Sequence, residues 1–94
     1  MGKFKTAKQM ERHLKGVANH HRIEILLIIS DSEGITLEDI VEAVGANEKT
    51  IGEHTRRLQL AGLVDKQYLG RFVRHSLSPY GKTFVALLKG LRLA

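Results

Sequence analysis

Residues 36–77 read TLEDIVEAVG, ANEKTIGEHTRRLQLAG, LVDKQY, LGR and FVRHSL in unbroken succession. Thr36 with Asp39 three residues on has the form of a capping box, and the helix it opens turns Ile40, Val41 and Val44 to one side. Gly45 stops that helix. Asn47 caps the next, whose apolar positions are Ile51, Leu58 and Ala61, with Thr55 where a larger side chain is expected, and Gly62 ends it. Only two residues separate Val44 from Asn47, so the two helices must cross steeply. Residues 63–69 and 72–77 are short, contain Val, Tyr and Phe, and are joined through Gly70, as a hairpin requires. A steep helix pair followed at once by a hairpin with Gly70 and Arg71 at its tip describes a winged helix-turn-helix, a helix shaped for a DNA groove with a basic ribbon beside it.

The flanks complete a domain. Ala7, Met10, Leu14 and Val17 recur three or four apart and predict a helix over 6–17. Asn19 caps a second, HHRIEILLIISDS, whose run from Ile25 to Ile29 is apolar almost all round. Periodicity alone allows a buried strand there; length, cap and the turn signal at residues 31–34 select a helix, which with no polar face belongs at the centre of the domain or of a dimer. Ser78 followed by Pro79 starts a last helix with Phe84, Leu87, Leu88 and Leu91 on one face and Val85 and Leu93 beyond, more apolar surface than one small core needs. The expected fold is mainly α with a small β-hairpin wing (α+β): four helices, two strands and a fifth helix, in one domain over residues 1–94.

Ninety-four residues, 43% hydrophobic, supply a modest core and no cleft between lobes, so a leftover apolar face calls for a second copy. No cysteine is present, which removes disulfides, thiolate metal sites and thiol redox sensing and fits a cytoplasmic location. The longest apolar run is far short of a membrane span, and MGKFKTAKQM lacks the apolar core of a signal peptide, so no membrane partner is expected. The net charge of +5 is sharply segregated. Residues 24–48 hold seven acids and no Lys or Arg, whereas from Lys49 onward nine bases face only Glu53 and Asp65. Before the acidic block, Lys3, Lys5, Lys8, Arg12, Lys15 and Arg22 outnumber Glu11. The sign changes within the first turn of the helix capped by Asn47. Taken singly, each charge run reads as a solvated face; the sequence as a whole reads as a nucleic-acid surface.

From about Val17 to Lys82 the pattern resembles the winged helix-turn-helix repressors of the ArsR type, and more loosely those of the MarR type. ANHHRIEIL is similar to that family's opening of its second helix, TIGEHTRRLQLAGLV to the end of its recognition helix, and LGRFVRHSLSPYGK to its wing and the start of its last helix. The resemblance implies a homodimeric repressor that occludes an operator in double-stranded DNA. Its first and last helices, residues 1–18 and 79–94, would form the dimer interface through Met10, Leu14, Val17, Phe84, Leu87, Leu88 and Leu91. Metal sensing in this family commonly uses cysteines in the second or recognition helix, or Asp, His and Glu pairs along the last. This chain has no Cys, and no Asp, Glu or His from Ser78 to Ala94, so neither a metal nor another cofactor is expected. Nothing in the sequence names a small-molecule effector.

With positions 51, 55 and 58 facing inward, Lys49, Thr50, Gly52, Glu53, Arg56 and Arg57 point outward or sideways, behind the cap Asn47. Lys49 can bond guanine; Glu53 can accept from cytosine or pair with Arg57 within the helix; Arg56 and Arg57 suit phosphates. Arg57 and Thr55 stand where the family has aliphatics. Gly52 is costly inside a helix unless the backbone approaches DNA or another helix closely. Arg71 at the wing tip, with Lys66 and Arg74 on its strands, suits phosphate or minor-groove contact, or else an ordinary charged edge. His13, His20, His21, His54 and His75 read as surface or capping groups rather than ligands, and their protonation in mild acid is expected to strengthen DNA binding. No phosphate loop, cysteine nucleophile or Ser-His-Asp pattern points to an enzyme. The competing reading is a winged-helix module for protein partners, separated from the first by whether Lys49, Arg56, Arg71 and Arg74 share a face.

Overall fold

A side chain accepts at least one free amide at the start of every helix. In the computed structural model, which describes residues 4–93, the chain runs α1 (Ala7–Val17), α2 (His20–Asp31), β1 (Ile35–Thr36), α3 (Leu37–Val44), α4 (Glu48–Leu60), β2 (Val64–Leu69), β3 (Phe72–Leu77) and α5 (Pro79–Arg92). Residues 1–3, Lys3 among them, and residue 94 lie outside the described residues. Thr6, Asn19, Thr36, Asn47 and Ser78 cap the five helices in turn, each accepting a backbone N–H of the first turn. At Thr36 only half of the expected capping box forms: its hydroxyl accepts from the Asp39 N–H at 3.3 Å. The reciprocal box lies at Thr6, whose hydroxyl accepts from Gln9 N–H while the Gln9 side chain accepts from Thr6 N–H. Glu38 and Asp39 place two of the acidic block's charges at the positive end of the α3 dipole, a local reason for acids there.

Between α3 and α4 the chain turns in three residues, the last of them the cap Asn47, with Gly45 at φ 79° and its N–H donated back to Val41. That left-handed conformation strongly favours glycine, and it sets the steep crossing of the helix-turn-helix. At the wing, Gly70 has φ 62° while Arg71 does not enter the positive region, the requirement of a type II′ hairpin with glycine first.

The sheet has three strands rather than two, in the order β1-β3-β2, all antiparallel. Ile35 pairs with His75 and Thr36 with Arg74, and Gly34 N–H donates to the His75 carbonyl at 2.8 Å. Two residues cannot display alternation, which is why this strand left no periodic trace in the sequence. The Glu33 side chain adds to the join by accepting the Leu77 N–H. The core centres on α2, whose Ile25, Leu26 and Ile29 are buried among Ile40, Ile51, Leu58, Leu63 and Val64, as its apolar circumference requires. Among the described residues no helix is long and apolar enough to cross a membrane.

His75 is buried in this core, its Nδ1 donating to the Ile35 carbonyl at 3.2 Å. Burial pushes its pKa below the ordinary 6.5, against the opposing Ile35 backbone bond; Lys66 on β2 lowers it further, and the Val73 backbone bond and Glu38 on α3 oppose that more weakly. The unfolded chain therefore takes up the proton first, so stability is complete above about pH 6.5 and falls as the pH drops below it. His75→Asn keeps an N–H for Ile35 but cannot titrate. Urea denaturation at about pH 7.5 and about pH 5 is expected to show a smaller acid loss in the variant than in the parent; an equal loss places the effect on other groups.

Candidate nucleic-acid interface

Helix α4 divides cleanly. Ile51, Thr55 and Leu58 are buried beneath it, and the hydroxyl of Thr55, the unexpected polar member of that row, donates to the Gly52 carbonyl at 3.0 Å. A threonine can occupy this core position because its hydroxyl hydrogen is bonded within the helix. Away from them Lys49 and Arg56, seven residues apart, form an exposed outer row, and Asn47 at the cap and Thr50 toward one flank are exposed as well. The Asn47 side chain accepts the Thr50 N–H at 2.8 Å, so the helix start is satisfied while its outer surface stays free.

Glu53 lies between two cations. It accepts two hydrogen bonds from Arg56, at 3.0 and 2.9 Å, and a third from Arg57 at 3.0 Å. The intrahelical pair with Arg57 that the spacing allowed is present, and Arg56 joins it. Mainly through the Arg56 hydrogen bonds, the Glu53 carboxyl is lowered to about 2, so it stays ionised and lowers the positive charge of the row. A base edge would have to compete with both arginines for these oxygens.

In the wing, the register pairs Lys66 with His75 and Gln67 with Arg74. Directly paired residues share a face, so Lys66 and buried His75 belong to the inner face and Arg74 to the outer one. Lys66 and Arg74 are therefore not a single grip around the hairpin. Partial burial and, second, the charge of Arg56 lower the Lys66 pKa. Arg74 instead reaches toward Gly34, where a Cβ would stand 3.7 Å from its Nη1. Arg71 is exposed at the tip, flanked by exposed Leu69 and Phe72.

A family model described as bacterial regulatory protein, arsR family, matches residues 19–66, half of the chain and all of the helix-turn-helix. The chain belongs to the ArsR family. No curated protein matches its sequence. Among solved structures, HlyU from Vibrio cholerae is 23% identical with a TM-score of 0.85 and full coverage of both chains. A homodimeric winged helix-turn-helix DNA-binding domain, Mb0332 from Mycobacterium bovis, is 23% identical with a TM-score of 0.80, covering 98% of this chain and 90% of its own. A possible transcriptional regulator for arsenical resistance is 26% identical with a TM-score of 0.71, covering 87% and 84%. The fold is thus a winged helix-turn-helix and the chain an ArsR-family transcriptional regulator.

Other candidate residues of this ArsR-family chain fall elsewhere. Arg57 is exposed on the flank of α4 that faces α1 and α2, beside Arg22, rather than in the outer row with Arg56. Val17, Phe84 and Leu88 are buried within the protomer, whereas Met10, Leu14, Leu87 and Leu91 remain 43%, 50%, 50% and 65% exposed. Three histidines are structural groups the sequence did not resolve: His13 donates to the Ala61 carbonyl and packs edge-on against Tyr80, His75 ties β1, and His54 accepts from Arg22 at 3.2 Å. Burial, Arg22 and His21 lower the His54 pKa, so His54 and His75 gain charge in acid less readily than free histidine. Among the described residues no three of His, Cys, Asp and Glu converge as a metal site.

At Gly52 a Cβ would meet nothing within 4 Å, so no neighbouring helix explains the glycine. Gly52→Ala is expected to raise stability by up to about 1 kcal/mol. If DNA backbone approaches this turn, the same change weakens DNA binding; unchanged affinity with a higher Tm removes that explanation.

Proposed function

We propose that the chain is a homodimeric repressor that binds operator DNA through α4 and the wing and acts by occluding the promoter. The observation that carries this reading is the exposed pair Lys49 and Arg56 on one side of a helix whose other side is buried, with Asn47 and Thr50 exposed at its start. Lys49 and Thr50 stand at the N-terminal end, where a groove-bound helix meets base edges; Arg56, Lys66 and Arg71 supply phosphate contacts. Dimerisation is supported by the exposed Met10, Leu14, Leu87 and Leu91, and by a groove of about 190 Å³ between α1 and α5 lined by Met10, Leu14, Tyr80, Phe84 and Leu87. Without cysteine the repressor has no thiolate switch.

Selection of bound fragments from genomic DNA tests the proposal. A two-fold symmetric motif is expected, with half-sites about 34–36 Å apart and affinity falling steeply between about 50 and 200 mM salt. Arg56→Ala leaves Glu53 bound to Arg57 and is expected to weaken binding to all sequences and flatten the salt dependence. Recovery of no motif would assign the basic face to a protein partner.

A further inference from the structure

A second positive surface lies away from the outer row of α4. Arg12 and Lys15 of α1, Arg22 of α2 and Arg57 of α4 line an open cavity of about 250 Å³ together with Gly16, Leu60 and Ala61. Two of these cations have acidic partners, Lys15 with Glu11 at 3.1 Å and Arg57 with Glu53 at 3.0 Å. Among the described residues Arg12 and Arg22 form no salt bridge. Arg22 is nevertheless fixed, its Nε donating to the Gly16 carbonyl at 2.7 Å and its Nη1 to His54 at 3.2 Å. Burial first and then the facing charge of Arg57 disfavour the charged form of Arg22, only partly offset by Glu53, so the cations here outnumber the acids near them. The carbonyls nearby are already used: that of Arg57 accepts Ala61 N–H, and that of Ala61 accepts from His13. The polar groups the cavity offers a ligand are therefore donors, set beside the apolar surface of Leu60 and Ala61.

We propose that this cavity is a binding site for a small, multiply charged anion of the phosphate or phosphate-ester class, held by Arg12, Lys15, Arg22 and Arg57. Guanidinium forks match the oxygens of such a group bidentately, and the volume lies just below the usual range for small-molecule pockets, which sets the ligand's size. Arg57 lies eight residues beyond Lys49, about 12 Å along the helix, so the cavity sits away from the end that would read bases. A bound anion would bridge α1 to α4 at the point where Gly16 packs directly on Ala61 with no space for a Cβ. It would thereby tie the helix bearing Met10 and Leu14 to the helix bearing Lys49 and Arg56. The binding step does not depend on the DNA reading and is measured without DNA.

Titration calorimetry of the full chain with inorganic pyrophosphate, at ionic strength balanced with sodium chloride, is the direct test. Saturable binding of one anion per chain is expected, with amide shifts in NMR spectra concentrated at Gly16 and Arg22. Arg12→Gln, an exposed change on α1, is expected to weaken it about tenfold, and Lys82→Gln, remote from the cavity, to leave it unchanged. Absence of saturation, or equal weakening in both variants, overturns the proposal. In a parallel DNA titration, Arg12→Gln is expected to leave the salt slope unaltered; a slope reduced by about one assigns the cavity to a DNA phosphate and overturns the small-anion reading.

Discussion

Gly81→Ala is expected to cost about 3 kcal/mol of folding stability, although alanine normally favours a helix over glycine by about 1 kcal/mol. Gly81 lies in the first turn of α5, and a Cβ there would overlap the carbonyl oxygen of Leu63 and press on its carbon. That carbonyl cannot swing aside cheaply, because it accepts the Ser78 N–H at 3.0 Å. The Ser78 hydroxyl in turn donates to the Gly62 carbonyl at 2.7 Å and accepts the Gly81 N–H at 2.9 Å. End of α4, start of β2 and start of α5 are thus closed by one network, and widening it breaks buried hydrogen bonds as well as packing. For a domain of this size the loss corresponds to a fall in Tm of roughly 15 °C. Gly90→Ala in the same helix, with nothing within 4 Å, is the control and should be neutral or stabilising. Equal melting temperatures for the two variants would show that the α5 start can shift without cost.

These glycines show where sequence reading works and where it stops. The caps at Asn19, Thr36, Asn47 and Ser78, the Gly45 corner and the Gly70 hairpin were legible because each depends on a local rule linking residue type to backbone shape. Gly52 stood out as a costly helical glycine, yet it faces open space, while Gly16 and Gly81, unremarked in the sequence, are the ones against which other elements close. A glycine's intrinsic cost is local; what it lets approach is set by a segment far along the chain. The same distinction applies to the charges. The switch of sign at Lys49 marked the basic half, but not that Arg57 would turn toward Arg22, or that strand register would put Lys66 and Arg74 on opposite faces of the wing. His75 reads as any surface histidine until β1, a strand of two residues, is seen to cover it.

Leu14→Glu combined with Leu87→Glu is expected to convert the protein to a monomer and to lower its affinity for a two-site operator by about 100-fold or more. Both side chains are half-exposed on α1 and α5 beside the apolar groove, so the carboxylates can reach water in the isolated protomer and the fold survives. In a symmetric dimer built on this face, each carboxylate would instead be buried against apolar side chains, and charges of like sign would meet across the axis. Val17, Phe84 and Leu88 cannot serve the same purpose: they are committed to the protomer's own core, and changing them would unfold it rather than separate two copies. The loss in DNA affinity follows from linkage rather than from any damaged contact, since the outer row of α4 is untouched and a monomer engages only one half-site. Sedimentation at micromolar concentration and titration of an operator and of its isolated half-site distinguish the possibilities. A dimer that persists places the interface elsewhere. A monomer that keeps full operator affinity would show that one recognition helix suffices, and would remove the reason for pairing α1 with α5.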